Sequence, residues 1–83
     1  MDDIIVEFSP AAFKHGITEA DIRNALGNFL YDDIIKEFEN KRLLLGFDTN
    51  GNLLEIMYNE IDEQTVNVFH AMRCRSIYFP LMG

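Results

Sequence analysis

The run Asp48-Thr49-Asn50-Gly51-Asn52 limits the folds open to this chain more than any other stretch of it. Asn-Gly readily adopts the positive φ angles of a tight hairpin turn, and here apolar runs flank it on both sides. Before it stands Arg42-Leu43-Leu44-Leu45-Gly46-Phe47, whose three consecutive leucines read as a strand covered on both faces. After it, residues 53–61 alternate, with Leu54, Ile56 and Tyr58 on one face. A turn at Asp62-Glu63-Gln64 leads to a further strand over residues 65–72. The same Asp48 run resembles the opening of a calcium loop. Asn59 stands where such a loop needs its twelfth-position glutamate, so a hairpin turn is the reading.

The first third is of another kind. Ile4-Ile5-Val6-Glu7-Phe8 is a short β-branched strand. Ser9-Pro10 then opens a helical turn through His15, which Gly16 closes. A second helix starts at Thr18, where Thr18-Glu19-Ala20-Asp21 resembles a capping box and Ile17 and Ile22 are spaced as a hydrophobic staple. Ile22, Ala25, Leu26 and Phe29 recur on one face, and Asp32-Asp33 marks the exit. Residues 34–38 read as extended, joined to the next strand by a turn near Glu39-Asn40. The expectation is one α+β domain over residues 1–83: an N-terminal strand and two helices packed on a three- to four-stranded antiparallel meander. Its predicted core is Ile22, Leu26, Phe29, Leu44, Ile56, Val66 and Val68.

Charge and cysteine usage bound the partners. Cys74 is the single cysteine, so no intrachain disulfide forms, and Met1-Asp2-Asp3 carries no signal-peptide pattern. Apolar runs are too short for a transmembrane helix, and the expected location is cytoplasmic. The net charge of −7 argues at first against nucleic acid. Residues 1–63, however, hold all fourteen acids and five of the bases, a net of −9, while residues 64–83 hold only Arg73 and Arg75. The C-terminal segment can therefore meet an anion.

One cysteine and two histidines cannot close a Cys/His zinc site, and glycines 16, 27, 46, 51 and 83 form no phosphate loop. No metal or cofactor is expected. Two segments remain: Lys14-His15-Gly16 and His70-Ala71-Met72-Arg73-Cys74-Arg75. Histidines move protons near neutral pH, and arginine clamps phosphate. Metal-free RNA cleavage needs a base, an acid and a cation, and these residue types supply all three. Each also has a plainer use. His15 can cap a helix C-terminus; His70 shares strand parity with Val66, Val68 and Met72 and can sit at the core edge. Arg73 and Arg75 can be a solvated edge, Tyr58 packing, Cys74 a small hydrophobe, and Asp32, Asp33, Glu37 and Glu39 a solvated face.

Through Lys14-His15-Gly16-Ile17 with Glu19 and Ile22, then Leu44-Leu45-Gly46-Phe47-Asp48, Leu53-Leu54-Glu55-Ile56 and the His70-Ala71-Met72 ending with its arginines, the chain resembles the BrnT-like toxins of bacterial toxin–antitoxin modules. The resemblance implies a RelE-like fold, cleavage of mRNA and neutralisation by a cognate antitoxin. It implies catalytic roles for His15, His70 and one of Arg73 and Arg75, the choice between them left open, and RNA binding by Lys14, Arg73 and Arg75. The chain departs from that pattern in its acidity and in the short stretch after its last strand. The alternative is a non-catalytic homodimeric or adaptor domain whose tail (Ile77, Tyr78, Phe79, Leu81, Met82) docks on another chain. The toxin reading predicts that Lys14, His15, His70, Arg73 and Arg75 converge on one concave surface.

Overall fold

The computed structural model describes residues 4–83, the side chain of Glu39 excepted. Met1-Asp2-Asp3, where no leader is expected, and the Glu39 carboxylate of the expected solvated face lie outside the described residues. The chain is α+β. Strand β1 (Ile5–Phe8), a 3-10 turn (Pro10–Phe13) and helix α1 (Glu19–Gly27) precede β2 (Phe29–Ile35), β3 (Phe38–Phe47), β4 (Leu53–Asp62) and β5 (Thr65–Arg73); a second 3-10 helix (Ser76–Met82) follows.

The antiparallel meander has four strands, within the expected three to four, but β1 joins it as a fifth, so the sheet is five-stranded and mixed. The order is β1-β5-β4-β3-β2, with β1 parallel to β5 and every other pair antiparallel. Helix α1 and the first 3-10 turn cross one face of this sheet. Ala12, Ile22 and Ala25 meet Leu44, Leu54, Ile56, Tyr58, Val68 and Ala71 there, with Leu26 and Val66 packed against them. Leu43 and Leu45 are buried on the opposite face, so the run of leucines is covered on both sides as read. Tyr78 and Leu81 of the terminal 3-10 helix line a hollow there with Tyr31, Leu43 and Met57. The tail thus folds back on its own sheet, with Ile77, Phe79 and Leu81 still exposed.

The Thr18 cap is made, its Oγ1 accepting from the Asp21 amide at 3.2 Å. The far end of α1 is not where the apolar spacing puts it. The helix stops at Gly27, and Phe29 opens β2 about half exposed instead of joining the core. Gly27 weakens the last turn, and the Asn28 side chain donates back to the Asn24 carbonyl at 2.9 Å. The aromatic and β-branched run that follows then pairs with β3. The hairpin between them turns at Lys36-Glu37, not near Glu39-Asn40, because Phe38 already belongs to β3. At the other hairpin, Asp48 Oδ1 accepts from the amides of Asn50 and Asn52, both at 2.8 Å, and Gly51 takes φ +83°.

Ile22 is wholly buried and Leu26 only partly, so Ile22→Ala is expected to cost about 2–5 kcal/mol and Leu26→Ala less. Urea unfolding of both variants checks this; equal losses would mean that α1 packs with another face inward.

Candidate functional site

The chemistry gathers around a glutamate. Glu55 stands on β4 with its side chain fully buried on the face away from α1. Its Oε2 lies 2.8 Å from His70 Nε2, on the neighbouring strand. Arg75, just past β5, donates its backbone amide to Oε1 at 2.9 Å, Nη2 to Oε2 at 2.7 Å, and Nε to both oxygens at 3.1 and 3.2 Å. Burial pushes the Glu55 carboxyl up, but the Arg75 hydrogen bonds and the His70 contact outweigh it and hold the group below its ordinary value.

His70 reaches Glu55 because β5 carries a bulge. Met57 pairs with His70 and Tyr58 with Val68, which leaves Phe69 unpaired. Val66 and Val68 therefore face α1, while His70 and Met72 turn to the other side, opposite Met57 and Glu55. The shared parity expected of these four residues is broken by that one extra residue.

His15 arrives from the other end of the chain. Strand β1 ends at Phe8, opposite Val68, so beyond that point the edge of β5 has no strand beside it. The 3-10 turn packs against β5 instead, and the following turn brings the exposed His15 ring edge-on to His70, with centroids 5.7 Å apart. His15 lies past the last residue of that turn and past its cap, Lys14, so it is not the cap itself.

The five predicted residues are thus only partly brought together. His15 and His70 meet, and Arg75 joins them through Glu55, its guanidinium also 5.6 Å from the Tyr78 ring. Arg73 does not join them. It pairs with Leu54 on the α1 side, is exposed, makes no ion pair among the described residues, and borders a separate hollow of about 430 Å³ with Asn52, Cys74 and Phe79. Lys14 is exposed beside His15 and has no polar side-chain partner among the described residues. The two arginines, equivalent in sequence, therefore differ. Reversing Arg73 to glutamate should leave the fold intact. The same change at Arg75 removes the donors of buried Glu55 and sets a second carboxylate against it, so it should lower the melting temperature. Thermal melts separate the two, and equal melting temperatures would contradict the assignment.

Burial and nearby Glu55 push the Cys74 thiol up, which favours its protonated form. Tyr58 donates its hydroxyl to both Asp32 oxygens at 2.9 Å, and Arg42 Nε approaches Asp32 Oδ1 at 3.1 Å. Burial and Asp32 push the Tyr58 phenol up to about 12, so it packs and donates without ionising. Asp32, expected on a solvated face, is instead half-buried in this triad. Among the described residues, no three His, Cys, Asp or Glu side chains are grouped to hold a metal ion.

Asp21, Asp48, Glu55 and Asp62 are all held below their ordinary values of 3.8 or 4.5. A depressed carboxylate stabilises the fold above its unfolded value, and that contribution fades as pH falls through the folded one. The denaturation midpoint should therefore drop once pH falls below 4.5. A midpoint unchanged in acid would contradict these hydrogen bonds.

Glu55 is the member of this site that the pattern of residues did not single out. A signal was present: it alternates with Leu54 and Ile56 onto the face shared by Leu43 and Leu45, and a carboxylate on a covered face needs partners. Comparison of the chain with protein-family models, with curated proteins and with solved structures finds no match in any of the three.

Proposed function

We propose that this chain is a metal-free endoribonuclease, a BrnT-like toxin acting on mRNA and held by a cognate antitoxin. The observation that supports it is the edge contact of His15 and His70, two proton-transfer groups from opposite ends of the chain, beside a guanidinium. A phosphodiester laid across the two rings meets a base for the 2′-hydroxyl and an acid for the 5′ leaving oxygen. The O2′–P bond forms, the P–O5′ bond breaks, and the products are a 2′,3′-cyclic phosphate and a free 5′-hydroxyl. Arg75 spends Nε and Nη2 on Glu55, which leaves Nη1 to meet the phosphate. Exposed Lys14, next to His15 in the chain, can follow the RNA backbone, whereas Arg73 lies on the α1 side.

Exposed Ile77, Phe79 and Leu81 favour a second reading, a non-catalytic homodimeric or adaptor domain, and equally suit the surface an antitoxin would cover. One experiment separates the two. Purified protein is incubated with end-labelled single-stranded RNA in EDTA. Fragments ending in a 2′,3′-cyclic phosphate, absent with a His15→Ala/His70→Gln double variant, are expected. RNA left intact by the unaltered protein would overturn the nuclease reading.

A further inference from the structure

Glu55 makes contacts that limit what it can do. Its carboxylate accepts from three Arg75 donors and one His70 nitrogen, and its side chain is fully buried. A carboxylate so filled and so shielded cannot take a proton from a ligand. What it does control is the ring beside it. An ionised carboxylate only accepts hydrogen bonds, so the His70 nitrogen 2.8 Å away must be the one that carries hydrogen. The other nitrogen, Nδ1, has no hydrogen-bond partner among the described residues. No buried side-chain nitrogen or oxygen among them lacks one, so Nδ1 opens to the surface.

We infer that Glu55 is a positioning residue that holds His70 as its Nε2–H tautomer and thereby makes Nδ1 the nitrogen offered to a ligand. The ligand chemistry follows from that polarity. A bare Nδ1 accepts a hydrogen bond, so it meets a hydroxyl donor and not a bare phosphate oxygen. When Nδ1 takes up a proton, the imidazolium lies against the Glu55 carboxylate, which favours the charge that has just formed. The catalytic half of this inference rests on the proposed nuclease reading and assigns its two roles. His70 Nδ1 removes the proton of the 2′-hydroxyl as O2′ attacks phosphorus. Exposed His15 gives its proton to the departing O5′. Glu55 touches neither reacting group.

The tautomer can be read without any substrate. Nitrogen-15 NMR of the labelled, full-length protein with neutral histidines should show one tautomer. The expected pattern is a directly visible, slowly exchanging Nε2 proton and an unprotonated Nδ1. An Nδ1–H tautomer, or the rapidly averaged mixture of free imidazole, overturns the inference. The Glu55→Met variant keeps the volume but not the acceptor. In it the Nε2 proton signal should disappear and RNA cleavage fall by about 10–100-fold. A folded Glu55→Met protein with an unchanged His70 spectrum overturns the inference; should that variant not fold, the spectrum of the unaltered protein decides alone. Protein that shows the predicted tautomer yet cuts no RNA sustains the role of Glu55 and overturns the nuclease reading by itself.

Discussion

Replacing His70 by glutamine is expected to slow RNA cleavage by about 10²–10⁴-fold while the protein stays folded. Glutamine keeps roughly the volume of the ring and can donate its amide hydrogen to Glu55, so the polar contact at 2.8 Å has a substitute. It cannot take up a proton. The loss is therefore confined to the step in which the 2′-hydroxyl is deprotonated, and corresponds to about 3–5.5 kcal/mol of transition-state stabilisation. It should appear in kcat and leave KM near its original value, because in the proposed reading the RNA is held by neighbouring cations and not by His70. Single-turnover cleavage under saturating RNA measures this directly. A variant that cuts as fast as the parent would remove His70 from the chemistry, whatever its distance from His15.

The largest effect on stability is expected at Gly46. A Cβ built there would overlap the Ala25 carbonyl group and sit 3.0 Å from the Asn28 carbonyl oxygen, both backbone atoms of the segment crossing β3. That segment has little freedom to withdraw. Asn24 Nδ2 donates to the Phe47 carbonyl at 2.8 Å, the Phe47 amide donates to the Asn28 carbonyl at 3.1 Å, and Thr49 donates twice to Asp21. Relieving the clash means moving α1 off the sheet and opening the core around Ile22 and Ala25. Gly46→Ala should therefore cost about 3 kcal/mol or more, and Gly46→Val should leave no folded protein at 37 °C. Gly27 is the control: a Cβ there meets nothing within 4 Å, and Gly27→Ala should stabilise by about 0.5–1 kcal/mol. Chemical denaturation of the three variants tests the contrast. A Gly46→Ala protein as stable as the parent would mean that the helix sits farther from β3.

The features legible from the residues alone are those that depend on near neighbours. The Asp48-to-Asn52 turn is built from an aspartate accepting from amides two and four positions on and a glycine at positive φ, all inside five residues. The Thr18 cap spans three. The alternation of Leu54, Ile56 and Tyr58 likewise needs only the pleat of one strand. What lay beyond reach depends on partners far away in the chain. The parallel pairing of β1 with β5 joins residues sixty apart, such as Ile5 and Thr65, and nothing near either end announces it. The end of α1 was decided by competition: the apolar spacing continues to Phe29, but pairing with β3 offers that segment a full ladder of hydrogen bonds.

The candidate site shows the same division. His15 and His70 stand out as residue types, and their meeting follows from β1 being too short to cover the end of β5. The arginines differ because the strand ends at Arg73 and Arg75 lies beyond it, and the bulge at Phe69 sets the phase of β5. That shift puts Arg73 on the α1 face and His70 on the other, where Arg75 also reaches Glu55. A period of two carries no warning of an inserted residue, because a bulge is fixed by the twist and pairing of the neighbouring strand. Residue order thus specified which histidines and arginines the site has to draw on. Only the packed sheet decided which of them share a face, since a single-residue change of register reverses every side chain beyond it.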